Sequence, residues 1–161
     1  MPAVPMTDSE ATEVSQLLCS SYAALGEKEG LSADQIEWLC RNRGSEATVH
    51  RESRAEQYLV AKERGRIIGV VAVTGDRITK LYVRPSCTGR GVGRSLYEDA
   101  ESLIRASGHT NVKLGAFPTA VPFYERMGLT VVGDRAATCA LAGRKMMLME
   151  KKLDHGAGNQ C

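Results

Sequence analysis

Gly89, Gly91 and Gly93 crowd one short stretch, Val83-Arg84-Pro85-Ser86-Cys87-Thr88-Gly89-Arg90-Gly91-Val92-Gly93, where a β-rich run gives way to helical periodicity. Glycines without Cβ atoms let a ligand approach the main chain closely. Amides at a helix N-terminus, together with the macrodipole, favour an anion. Arg84, Arg90 and Arg94 add positive charge nearby. The chemistry this suits is the grip of a phosphate or diphosphate by main-chain nitrogens. The Walker pattern is absent because no Gly-Lys-Ser/Thr ending follows. The dinucleotide pattern G-x-G-x-x-G, counted from Gly89, fails at Arg94. On spacing alone, a plain strand–helix turn stays open beside the phosphate site.

The second chemically pointed stretch is Ala120-Val121-Pro122-Phe123-Tyr124-Glu125-Arg126-Met127-Gly128-Leu129. A phenol with a pKa of about 10 is protonated at neutral pH and can donate a proton. On these residues alone Tyr124 reads first as a core aromatic on an amphipathic helix. Cys87, flanked by Arg84 and Arg90, invites a nucleophilic reading. With no histidine near it in sequence, it lacks the partner an activated nucleophile needs.

The elements that must position these groups follow from periodicity. Thr7-Asp8-Ser9-Glu10 and Ser32-Ala33-Asp34-Gln35 are capping boxes opening two helices, the first broken at Gly26 and Gly30. Arg41 to Arg54 reads as a surface loop. Strands are expected at Tyr58–Lys62, Arg66–Thr74, Ile78–Val83, Asn111–Gly115, Leu129–Val132 and Lys145–Leu153. Helices are expected from Val92 to a Gly108 cap and from Thr119 to Met127. Gly75-Asp76 has turn chemistry. The order is two helices, a strand meander, then β-α-β-α-β-β, a mixed α/β domain.

The chain has 161 residues, 43% hydrophobic and 25% charged, which suits one globular domain. Its 21 basic and 19 acidic residues leave a formal charge of +2, against a nucleic-acid partner. The longest apolar run, Ile67 to Val73, is far below the ~20 residues of a membrane span. No basic-then-apolar leader is present, so a cytoplasmic protein with no membrane partner is expected. Five cysteines without C-x-x-C spacing predict free thiols and neither a disulfide framework nor zinc. His50, His109 and His155 stand apart, so no metal is expected.

The run from Ile78 to Leu96 resembles the acyl-CoA-binding motif of the GNAT N-acyltransferase superfamily: arginine or glutamine, two residues, glycine, one residue, then glycine or alanine. Gly91 and Gly93 fill its small positions, and Thr88 stands where arginine or glutamine is usual. Ala120 to Leu129 resembles the family's second signature, with Phe117 where an asparagine is common. Met146 to Lys151 is similar to its last strand. The resemblance implies a single domain over residues 1–153 with a flexible tail over 154–161. Its sheet would be mostly antiparallel and twisted, splayed at a cofactor cleft and flanked by about four helices.

The resemblance also implies acetyl-CoA as co-substrate, a small-molecule, peptide or protein amine as acceptor, direct attack in a ternary complex and, as often in the family, a homodimer. Leu81, Tyr82 and Val83 would hold pantetheine like an added strand, with the Val83 amide polarising the acyl oxygen. Thr88, Gly89, Arg90, Gly91, Val92, Gly93, Arg94 and Phe123 would complete the cofactor site, and Tyr124 would protonate the sulfur. Arg77 occupies the position of a glutamate base used by some members and cannot serve at neutral pH. Glu27, between the first helices, and Asp76 read better as a surface carboxylate and a turn residue, so the base is unassigned. A non-catalytic acyl-CoA sensor of the same fold is the second reading, and a nucleotide-binding protein with an unrelated glycine turn the third.

Overall fold

The computed structural model describes residues 2–154, so the expected tail from His155 onward, with Cys161, lies outside the described residues. Both capping boxes form. The Thr7 amide donates to the Glu10 carboxylate at 2.8 Å, and the Gln35 amide to the Ser32 hydroxyl at 3.1 Å. They start α1 (Ala11–Glu29), entered through a 3-10 turn, and α2 (Ala33–Arg43).

Two expectations about this third of the chain are corrected. Gly26 does not break α1, which runs on to Glu29. It is a contact point instead, since a Cβ there would sit 2.4 Å from Ile36 Cδ1 of α2. Arg41 to Arg54 is not a loop, because it ends α2 and then forms α3 (Glu46–Ala55), capped by the Ser45 hydroxyl accepting from the Thr48 amide at 3.2 Å. Only Thr48 and Val49 of α3 are buried, too little apolar surface to print a helical period on the sequence. The described residues thus carry five α-helices, one more than expected.

The free-thiol expectation is also corrected for one pair. Cys19 of α1 and Cys40 of α2 form a disulfide with Cα atoms 4.9 Å apart, where the two helices cross. Their 21-residue separation matches no local motif, so only the packing reveals the bridge. Cys87 and Cys139 are free thiols.

The strands are β1 (Val4–Pro5), β2 (Gln57–Glu63), β3 (Arg66–Thr74), β4 (Arg77–Val83), β5 (Asn111–Ala116), β6 (Thr130–Ala136) and β7 (Lys145–Lys152). They form one sheet in the order β1-β2-β3-β4-β5-β7-β6, antiparallel except between β4 and β5. β3 is buried from Ile67 to Val73 because helices cover both faces. α1 to α3 pack over Val60, Val70 and Ala72. On the other face α4 (Val92–Ala106) lays Leu96, Tyr97, Ala100 and Ile104 over Val71 and Val73. No described helix is long and apolar enough to cross a membrane.

The site exists because β4 and β5 part. Their register holds only at Arg77↔Lys113, reinforced by the Lys113 amide donating to the Asp76 carbonyl at 2.9 Å. Asp76 is the turn residue it was expected to be, its carboxylate 3.6 Å from Lys113 Nζ. Pairing of Ala72 with Lys80 and of Val73 with Ile78 skips Thr79, a bulge that bends β4. Beyond it the strands diverge.

Candidate active site

The chain leaves β4 at Val83 and makes a 3-10 turn, Pro85–Cys87, before α4. The Cys87 amide donates to the Arg84 carbonyl at 2.8 Å, and the Cys87 side chain is buried in the core beneath the turn. The Thr88 hydroxyl donates to the Pro85 carbonyl at 3.1 Å, so this side chain shapes the turn. Gly89 and Gly91 take φ of +76° and +83°, and a Cβ at either would meet nothing within 4 Å. That open space lies over Gly91, the N-cap of α4, which has no side-chain cap. The first helical bond runs from the Ser95 amide to the Gly91 carbonyl at 3.0 Å. The amides of Val92, Gly93 and Arg94 therefore have no partner within the helix and form its positive end.

The three arginines of the turn are engaged. Arg84 donates twice to the Ile67 carbonyl, at 3.2 and 2.9 Å, and braces β3. Arg90 pairs with Glu63 of the β2–β3 hairpin. Exposed Arg94 lies 3.9 Å from Glu98. What the turn offers an anion comes chiefly from main-chain nitrogens.

The adjoining edge of β4 is open. The Arg84 amide donates to the Ile68 carbonyl at 2.8 Å, and antiparallel alternation then puts Tyr82 in a bonded pair with Val70. Leu81 and Val83 turn their main chains toward the gap. Of the three residues expected to act as an added-strand template, these two direct main chain toward the gap, although the carbonyl of Val83 is already engaged. Tyr82 instead contributes a side chain, edge-on to Tyr22 at 5.1 Å on the α1 face. The Val83 carbonyl accepts from the Ser21 hydroxyl at 3.2 Å.

Helix α5 (Val121–Arg126) closes this side, with Pro122 in its first turn where no amide is needed. A Cβ on Gly93 would sit 3.3 Å from the Phe123 ring and 3.6 Å from the Val83 side chain, so residues from both sequence motifs meet here. Tyr124 is 9% exposed and lies edge-on to Phe123 at 5.0 Å. Burial, and secondarily the neighbouring Tyr82 phenol, push its pKa well above the ordinary tyrosine range. Such a phenol keeps its proton through neutral pH. The Glu29 carboxylate fixes the approach to α5 by accepting from the Thr119 amide at 2.9 Å. Glu27, expected in a loop, is exposed on α1.

On the α1 face the gap widens into a cavity of about 250 Å³. Tyr22, Trp38, Tyr82 and Phe117 give it aromatic walls, and Arg43, Arg77 and Arg135 line it as well. Phe117, noted in sequence only as a departure, thus forms part of this wall. The Lys80 ammonium is 2.6 Å from Glu52, whose same oxygen accepts from the Tyr58 hydroxyl at 2.8 Å. Sequence reasoning missed Ser21, Tyr22, Glu29, Trp38, Arg43 and Arg135, which arrive from distant segments and share no spacing.

Residues 28–153 match the family described as the acetyltransferase (GNAT) domain, more than half of the chain. The chain is 30% identical over 79 residues to the peptidyl-lysine N-acetyltransferase YjaB of Salmonella typhimurium, covering 49% of this chain and 53% of that protein. The chain thus spans about half the length of that curated relative. Among solved structures, a GCN5-related N-acetyltransferase from Rhodopseudomonas palustris superposes with a TM-score of 0.85 at 24% identity, covering 94% of each chain. The PaiA N-acetyltransferase of Thermoplasma acidophilum, in complex with coenzyme A, gives 0.77 at 18% identity over 94% of this chain and 98% of that one. At these identities the likeness is one of fold.

Proposed function

We propose, since the chain belongs to the GNAT acetyltransferase family, that it transfers an acetyl group from acetyl-CoA to a primary amine by direct attack within a ternary complex. The observation that carries this reading is the meeting of Val83, Gly93 and Phe123 beside the uncapped start of α4. It sets the open edge of β4, the anion-binding turn and the Tyr124 helix around one gap. The residues fit the co-substrate: the open space over Gly89 and Gly91 admits a diphosphate, and Leu81 and Val83 offer a strand edge to an extended amide-bearing arm.

When bound, acetyl-CoA supplies an acyl group activated as a thioester. The amides of Gly91 to Arg94 hold the diphosphate. Leu81 and Val83 align the arm, with the Val83 amide directed at the acyl oxygen. Tyr124 holds its proton for the departing sulfur. The acceptor enters from the cavity on the α1 face, so the two substrates reach the gap from opposite sides.

The test is acetyl-CoA-dependent release of free thiol across a broad amine panel, with the Tyr124→Phe variant alongside. Turnover with at least one amine, greatly reduced in the variant, is the expected result. Acyl-CoA binding without turnover on any amine would replace this reading with a non-catalytic sensor. Displacement of coenzyme A by ATP or NAD would point to a nucleotide site.

A further inference from the structure

Among the described residues, the acceptor cavity is positive without a carboxylate in its wall. Arg43 of α2, Arg77 of β4 and Arg135 of β6 converge there from three separate elements, and no described aspartate or glutamate lines it. Lys80 also lines it, but its charge is met from behind by Glu52. The three arginines form no ion pair among the described residues. The chain as a whole has nearly balanced charge, 21 basic against 19 acidic residues, so this concentration does not reflect average composition.

One further feature points to a ligand. The Arg43 guanidinium sits 5.8 Å from the Trp38 ring centroid, which keeps a planar cation facing an aromatic wall. A guanidinium fork matches a carboxylate in geometry and charge. A like-charged, polycationic amine would enter against several positive groups in a partly enclosed space.

We infer that the acceptor is an amine bearing a carboxylate and an apolar or aromatic body, as in a hydrophobic amino acid. The inference rests on the acetyl-transfer reading and names its substrate class. In the reaction the amine nitrogen bonds to the acetyl carbon while the carbon–sulfur bond breaks. The nitrogen loses one proton, and the sulfur leaves as the thiol by taking one. The carboxylate takes no part in this exchange and is held by the arginines, with the apolar body against Trp38 and Phe117.

The experiment compares L-phenylalanine, L-phenylalaninamide, phenethylamine and spermidine as acceptors for the wild type and for Arg77→Gln and Arg135→Gln. The expected kcat/KM for phenylalanine exceeds that for its amide by about tenfold or more, the factor a charge-assisted hydrogen bond supplies. That ratio should fall toward unity in each variant, with folding checked by circular dichroism. Equal or better use of the amide, phenethylamine or spermidine would overturn the inference.

A binding arm separates this outcome from failure of the transfer reading. The coenzyme A-saturated protein is titrated with 3-phenylpropanoate and with 3-phenylpropanamide, neither of which can be acetylated on an amine. Preference for the anion, lost in both variants, supports the carboxylate site even if no amine turns over. Equal affinity for the two overturns it even if acetyl transfer is found.

Discussion

On the turn side of the gap between β4 and β5, the recognition proposed for the co-substrate rests on main chain. The groups offered are the amides at the start of α4 and the gap-facing edge of Leu81 and Val83, while the local arginines are occupied by Ile67, Glu63 and Glu98. On the α1 side the recognition proposed for the acceptor would rest on side chains from α1, α2, β4 and β6 and from the segments around Phe117 and Thr138. Main-chain recognition suits a ligand that never changes, because a substitution rarely removes an amide. Side-chain recognition can be rewritten one residue at a time. A fold that keeps one co-substrate and varies its acceptor would be expected to divide its cleft in this way.

The sharpest break in that comparison should come at Tyr124, the proposed general acid. Tyr124→Phe should lower kcat by about 100-fold or more, the range for loss of a positioned general acid, while calorimetry finds coenzyme A affinity nearly unchanged. The direction of the Tyr124 shift adds a pH signature. A general acid works while protonated, and a raised pKa moves its loss to higher pH. The alkaline fall of kcat attributable to Tyr124 should therefore lie above about pH 10, beyond the ordinary tyrosine value, in a pH–rate profile.

Next in size is the bridge between α1 and α2. Replacing Cys19 and Cys40 by serine should cost about 3 kcal/mol of stability, the magnitude expected for a closed loop of this length. Denaturant melts with and without reductant read this directly: reductant should weaken the wild type and leave the double variant unmoved. Tyr22, Trp38 and Arg43 ride on the bridged helices, so acceptor KM should rise while acetyl-CoA KM holds.

A smaller effect should isolate the opposite wall. Gly91 has φ of +83° with open space around it, and asparagine and aspartate tolerate that conformation better than other residues. Gly91→Asp should weaken coenzyme A binding about tenfold relative to Gly91→Asn in calorimetry, since only the first adds a negative charge beside the diphosphate. The smallest expected effect is that of Glu27→Gln, which should change kcat by less than about twofold because an exposed carboxylate on α1 touches neither wall.

The same division governs what the sequence discloses. A main-chain site needs glycines at fixed offsets and a strand–helix order, so Gly91, Gly93 and Tyr124 stand out in one chain. The strands from β2 to β7 were legible because β-rich runs end at clear turn residues such as Gly75 and Asp76. The wall proposed for the acceptor leaves no comparable trace, since Trp38 and Arg135 become neighbours of one cavity only through tertiary packing. The same reason hid the Cys19–Cys40 bridge. Helix α3 escaped notice because its buried face is two residues wide, and Gly26 misled because a glycine at a helix crossing looks in sequence like one that ends a helix.

Main-chain nitrogens at the start of α4 are proposed to hold the diphosphate of the co-substrate. Amide-resolved NMR of the protein titrated with coenzyme A tests it most directly, with inorganic pyrophosphate as competitor. The amides from Gly89 to Arg94 should show the largest shifts, and pyrophosphate should reverse them in part. Saturable coenzyme A binding that leaves those amides unmoved while signals elsewhere shift would contradict it.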